Sequence, residues 1–189
     1  MIVLASSSPR RQELLRRIYP DFVSDPADID ERALPMLPAP EYVATLAHAK
    51  GASVALRHPG AVVIGADTVV EIDAHILGKP QNRADACDML QMLSGHFHHV
   101  HTGVWIRFSD GSTKEDVVTT SVEFWHLTNA ELNAYLDKGT YQGKAGAYGI
   151  QDDGAMLIKR IDGDFYSVMG LPISRLNRML RDADGKLAE

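Results

Sequence analysis

Apolar positions along this chain follow two rhythms, short continuous runs and stripes spaced three or four apart, and these predict strands and helices in turn. Ile2-Val3-Leu4-Ala5 reads as a strand. It runs into Ser6-Ser7-Ser8-Pro9-Arg10-Arg11 and then Gln12 to Ile18, where Leu14, Leu15 and Ile18 share one helical face. Ser8 suits the N-cap and Pro9 the first helical position, where a backbone N–H would lack a partner in any case. Phe22-Val23 predicts a short second strand, followed by an acidic, proline-spaced loop from Asp25 to Pro40. Glu41 to Leu56 predicts a helix that buries Val43, Leu46, Ala47 and Val54. Ala61 to Val70 is almost wholly apolar, the pattern of a strand buried on both faces. Asp73-Ala74 allows a turn, and His75-Ile76-Leu77 can pair back as a hairpin strand.

The second half continues in the same manner. Arg83 to Leu93 predicts a helix with Ala86, Leu90 and Leu93 as its stripe and Cys87 turned to the core. Thr102 to Phe108 and Thr113 to Trp125 predict two strands joined at Ser109-Asp110-Gly111-Ser112. Thr128 with Glu131 is a capping box opening a helix to Leu136. A glycine-bearing loop, Lys144 to Gln151, would let a ligand approach the backbone closely. Ala155 to Ile161 predicts a strand, Phe165 to Gly170 a short helical segment, and Pro172 opens a last helix to about Leu180. The polar tail from about residue 181 is expected to fray. Without repeats or a linker, residues 1–189 are expected to form one domain.

Composition narrows the function classes. Hydrophobic residues at 45% and charged residues at 23% are ordinary for a soluble globular protein. The single cysteine excludes an internal disulfide framework and suits a reducing cytosol. No apolar run approaches the ~20 residues that span a bilayer, and the N-terminal run is too short for a signal sequence. The expectation is a cytoplasmic protein with no membrane partner. A net charge of −6 argues against general nucleic-acid binding. An acidic chain can still hold a polyanion where its cations are gathered in one place.

Several residues suggest such a place. Arg10 and Arg11 fall in the first turn of a helix, where the dipole and free N–H groups are already positive. An anion completes that arrangement, and phosphate is the usual guest. Lys50 lies on the apolar stripe of its helix, either snorkelling to water or pointing into a polar site. Asp67 interrupts the buried strand; a carboxylate there is satisfied by backbone N–H groups, or is held to coordinate metal or take a proton from water. Asp30 and Glu31 are candidate oxygen ligands for a hard divalent cation. The cluster His96, His98, His99 and His101 suggests zinc, but strand geometry would divide it between two faces.

Taken together these stretches resemble the Maf family of nucleotide pyrophosphatases. The matches are Leu4 to Arg11, Gly65-Ala66-Asp67-Thr68-Val69-Val70, Gly78-Lys79-Pro80, Lys144 to Gln151, and Gly163-Asp164 with Val168-Met169-Gly170-Leu171-Pro172. The resemblance implies an α/β fold related to the inosine triphosphatase-like enzymes, a mixed twisted sheet flanked by helices with two lobes around a central cleft. It implies a cytoplasmic house-cleaning homodimer that hydrolyses a nucleoside triphosphate to the monophosphate and pyrophosphate with Mg²⁺ or Mn²⁺. Carried onto this chain, Asp67 is the general base, and Ser6, Arg10, Arg11, Lys50, Lys79 and Lys144 bind phosphate. Glu31 and Asp67 hold the metal. Arg10 directly after Pro9, Thr68 after Asp67, and Gln151 in the loop resemble the branch acting on dTTP and UTP, so these three are the specificity residues. The alternatives are a 7-methyl-GTP pyrophosphatase, or a nucleotide-binding regulator of septum formation with a cell-division partner and little catalysis. The chain departs from the family pattern at Asp152, which replaces a glycine and adds negative charge near the substrate.

Overall fold

The computed structural model describes residues 1–35 and 37–181; of the tail expected to fray, Arg181 ends a helix and residues 182–189 lie outside the described residues. The elements in order are β1 (Ile2–Leu4), α1 (Pro9–Arg16), β2 (Val23–Ser24), a 3₁₀ turn (Glu31–Ala33), α2 (Ala39–Ala55), β3 (Val62–Ile72), β4 (His75–Leu77) and α3 (Arg83–Leu93). The chain continues through β5 (Phe97–Arg107), β6 (Thr113–Phe124), α4 (Asn129–Leu136), β7 (Ile158–Asp162), α5 (Phe165–Met169) and α6 (Ile173–Arg181). The strands form one mixed sheet in the order β2-β1-β3-β5-β6-β7, with β4 also on β3. β1 runs parallel to β2 and β3, and the other pairings are antiparallel. The α/β class with a mixed sheet and flanking helices is therefore as expected.

Strand β3 organises the sheet. On one side it pairs with β5 from Val63 to Glu71. On the other, Val62–Ile64 pair with β1 and Val70–Ile72 with β4. Between those two partners, Gly65 to Val69 have no strand neighbour on that side among the described residues. A sheet edge opens in the middle of the molecule. The two largest apolar clusters lie to either side of it. One gathers Leu4, Leu14, Leu15, Ile64, Leu171 and Leu176; the other gathers Val70, Leu77, Leu90, Leu93, Phe124 and Leu136.

Helix α2 crosses the sheet at close range because glycines face it. A Cβ on Gly65 would lie 2.2 Å from the Ala47 carbonyl oxygen, and one on Gly103 2.4 Å from that of Val43. A Cβ on Gly51 would enter the Trp105 ring at 2.2 Å. No side chain fits at such distances, so glycine is required at all three.

Two expectations need correction. β5 begins at Phe97, five residues before Thr102, because the histidine-rich stretch pairs with both β3 and β6. Residues 155–157 are not strand. The Asp152 carboxylate accepts from the Gly154 N–H at 3.2 Å and opens a 3₁₀ turn over Asp153–Leu157, so β7 starts at Ile158.

His98 is fully buried, edge-on to Phe124 and Tyr148, with Nε2 2.8 Å from the Tyr148 hydroxyl and Nδ1 without a hydrogen-bond partner among the described residues. Burial, reinforced by nearby His99, lowers its pKa from 6.5 to about 3. An unfolded chain binds that proton below pH 6.5 and the folded chain refuses it, so stability falls as pH drops through this window by about 1.4 kcal/mol per unit. His98→Gln is expected to flatten the pH dependence of unfolding free energy between pH 6 and 4 by about that slope, measured by urea denaturation. An unchanged slope would contradict it.

Candidate active site

The open edge of β3 forms the floor of a cleft of about 690 Å³ between the two apolar clusters. Arg10, Arg11, Lys50, Lys79 and Lys144 line it, against two carboxylates among the described residues, Glu31 and Asp67. Ser6, Thr68 and Gln151 line it as well, so the site residues implied by the resemblance come together in one place; Asp30, the other candidate oxygen ligand, is not among the lining residues. A chain of net charge −6 thus gathers a locally cationic surface.

Asp67 and Thr68 point to opposite faces of β3, as neighbours on a strand must. Asp67, 8% exposed, turns toward α2, where its Oδ1 lies 2.5 Å from the Lys50 ammonium. The same ammonium lies 2.8 Å from Oε1 of Glu31, which opens the 3₁₀ turn after β2. Lys50 thereby clamps two carboxylates from distant parts of the chain around one point. Tyr42, on the same face, has its hydroxyl pKa raised by burial and by those two carboxylates.

Thr68 turns toward α1 and α5. Its Oγ1 accepts from Arg11 Nη2 at 3.2 Å and lies 2.9 Å from Oγ1 of Thr102. Arg11 also donates from Nε to the Gly170 carbonyl at 2.8 Å and from Nη1 to Ser6 Oγ at 3.5 Å. Burial lowers the pKa of this guanidinium, with Arg10 adding and Asp67 and Glu31 opposing. Arg10, half-buried, is also lowered by burial, which Asp152 counters. The start of α1 is built as expected: Ser8 caps it by accepting from Arg11 N at 3.5 Å, and no acid lies in the first turn. Ser6 Oγ accepts from Ser8 N at 3.2 Å, which fixes the turn before the helix.

Lys79 is exposed on the wall beyond β4 and forms no ion pair among the described residues. Gln151 is exposed at the rim. Lys144 is 8% exposed and paired with Asp152. The negative charge of Asp152 is therefore matched by a cation. The histidine cluster contributes nothing to the cleft lining. His98 bonds Tyr148, while His101 bonds Glu71 through Nε2 and Thr119 through Nδ1, at 2.8 and 2.9 Å. Sequence reasoning missed Thr102 and Gly103 as parts of the site's support, and it flagged Asp152 without its partner Lys144. Only the glycine, interrupting an apolar strand, carried a signal of close approach.

Oxygen donors that meet at one cationic point suit a hard divalent ion, which is commonly held by one or two carboxylates plus phosphate oxygens. Glu31 and Asp67 fit that donor set.

Comparison with known proteins finds relatives along nearly the whole chain. The family model described as "Maf-like protein" matches residues 1–183. A relative from Lacticaseibacillus casei (strain BL23), named dTTP/UTP pyrophosphatase, is 58% identical over 180 residues, covering 95% of this chain and 97% of its own. One of the same name from Latilactobacillus sakei subsp. sakei (strain 23K) is 50% identical, covering 96% of this chain and all of its own. Among solved structures, the Staphylococcus aureus Ham1 protein superposes with a TM-score of 0.56 at 15% identity, over 96% of this chain and 98% of that one. That likeness is one of fold.

Lys144 and Asp152 should respond unequally to substitution. Asp152→Ala strands a buried ammonium and is expected to cost about 2 kcal/mol or more, whereas Lys144→Met removes the charge and costs less. Urea denaturation of both variants checks the order; equal losses would contradict it.

Proposed function

The chain belongs to the Maf-like protein family, and from that premise we propose that it hydrolyses dTTP and UTP to the monophosphate and pyrophosphate. The observation that carries this proposal is the buried Asp67 carboxylate facing a cleft lined by five cations. The triphosphate lies over the start of α1, opposed by Arg10, Arg11 and Lys79. Asp67 orients a water and takes its proton as the oxygen attacks the α-phosphorus. The bond from that phosphorus to the bridging oxygen breaks, and pyrophosphate leaves with the electron pair. Lys50 holds Asp67 in position, and Arg11, fixed by three hydrogen bonds, meets the phosphate charge without reorganising. Catalysis of this kind is mostly positioning and charge stabilisation.

Glu31 and Asp67 would hold a divalent cation such as Mg²⁺ or Mn²⁺, which would neutralise charge on the phosphate oxygens. Arg10, Thr68 and Gln151 select the base, with Val70, Ile76 and Val100 offering it an apolar wall. The same proposal includes a homodimer working in the cytoplasm. Among the described residues no helix is long and apolar enough to cross a membrane.

The test is pyrophosphate release from dTTP, UTP, CTP, GTP and 7-methyl-GTP with Mg²⁺ or Mn²⁺, and its loss in chelator. Preference for dTTP and UTP is expected. Preference for 7-methyl-GTP would contradict the proposal, and binding without turnover would favour a regulatory role. Asp67→Asn is expected to fold, bind nucleotide and lose ~10²–10⁴-fold in turnover. An unfolded Asp67→Asn protein would mean that the carboxylate serves the fold instead.

A further inference from the structure

Thr102 lies on β5 opposite Thr68, fully buried and outside the cleft lining. Its hydroxyl has one proton, and at 2.8 Å from the Ser167 carbonyl oxygen that proton is committed, since a carbonyl can only accept. The 2.9 Å contact between the two threonine hydroxyls then requires Thr68 to donate. With its own proton spent on Thr102, Thr68 can offer only lone pairs elsewhere. One of them accepts from Arg11 Nη2. The other is left for whatever enters the cleft.

We infer that Thr102 is a positioning residue that fixes the hydrogen-bond polarity of Thr68, making it acceptor-only toward the ligand while anchoring Arg11. The chain of donors runs in one direction: Arg11 to Thr68, Thr68 to Thr102, Thr102 to the Ser167 carbonyl. Its far end is held firmly. Asp164 caps α5 by accepting from the N–H groups of Tyr166 and Ser167 at 2.7 and 3.0 Å, and Thr120 Oγ1 accepts from Asp164 N at 2.9 Å. The Gly170 carbonyl at the end of α5 receives Arg11 Nε. Helix α5 thus grips Arg11 at two places, one direct and one through both threonines.

The consequence concerns base choice, and so it rests on the proposed pyrimidine triphosphate substrate. A ligand group meeting an acceptor-only Thr68 must donate. Uracil and thymine carry an N–H at ring position 3; cytosine presents a lone pair there. A site built around a donor rejects the analogue that lacks it strongly, because a buried polar group is left unpaired.

Steady-state kinetics with UTP and CTP on the wild type, Thr102→Val and Thr102→Ser test this, together with a crystal structure of Thr102→Val. Valine is expected to free the Thr68 hydroxyl, narrow the UTP-over-CTP ratio of kcat/KM about tenfold, mainly through KM, and shift the Thr68 or Arg11 side chain. Serine, which keeps the hydroxyl, should keep the ratio. Should Thr102→Val fail to fold, Thr102→Cys, of similar size and only a weak hydrogen-bonding group, takes its place. The inference is overturned by an unchanged ratio, by equal losses with both nucleotides, or by serine behaving as valine does. If the wild type releases no pyrophosphate from UTP, the proposed substrate is wrong. The variant crystal structure still decides the positioning role, and unmoved Thr68 and Arg11 side chains overturn it.

Discussion

The close seating of α2 on the sheet is the constraint on which the rest of the structure depends. Backbone meets backbone at Gly65 and Gly103, and Gly103 is the direct cross-strand partner of Asp67. Only because the helix approaches so nearly can Lys50, late in α2, reach a carboxylate held on a buried strand. An ammonium one methyl group further from Asp67 would leave a buried charge without its partner, a situation worth several kcal/mol. The glycines therefore act at a distance on the charges. They carry no chemistry, yet they decide where the chemistry can be.

A second constraint comes from the sheet itself. β3 is long enough to be shared by two short partners, β1 and β4, which leave its middle uncovered. Exposed strand edges are usually covered or blunted, since unpaired backbone groups invite association. Here the uncovered stretch is recessed between two apolar clusters and surrounded by cations, so the cleft and the edge are one feature. Neighbouring residues on that stretch serve opposite walls. Asp67 works with α2 and Glu31; Thr68 works with α1 and α5.

Much of this was legible in the sequence, and for identifiable reasons. Ser8 and Pro9 announced a helix start because capping is local. Asp67 stood out because a lone acid in an apolar run is costly to bury. Lys50 was visible on its stripe, but its partner was not, since the ion pair depends on the distance between α2 and β3. The 3₁₀ turn at Asp153–Leu157 was missed because one side-chain bond from Asp152 outweighs a run of apolar residues that reads as strand. The late start that the sequence predicts for β5 comes from histidines that obscure its alternation, although His98 and His101 do face opposite sides of the sheet, one into the core and one to Glu71. Thr102 gave no signal at all. A buried threonine in a strand is unremarkable until its neighbours' protons are counted.

Lys50, Glu31 and Asp67 form a preassembled charge cluster at the open edge of β3, where the proposed function places the triphosphate. A crystal structure with the α,β-methylene analogue of dTTP and Mg²⁺ tests it most directly. The α-phosphorus is expected beside the Asp67 carboxylate, with the outer phosphates over Arg10 and Arg11 at the start of α1. A nucleotide bound away from β3, with Lys50, Glu31 and Asp67 all facing solvent, would contradict it.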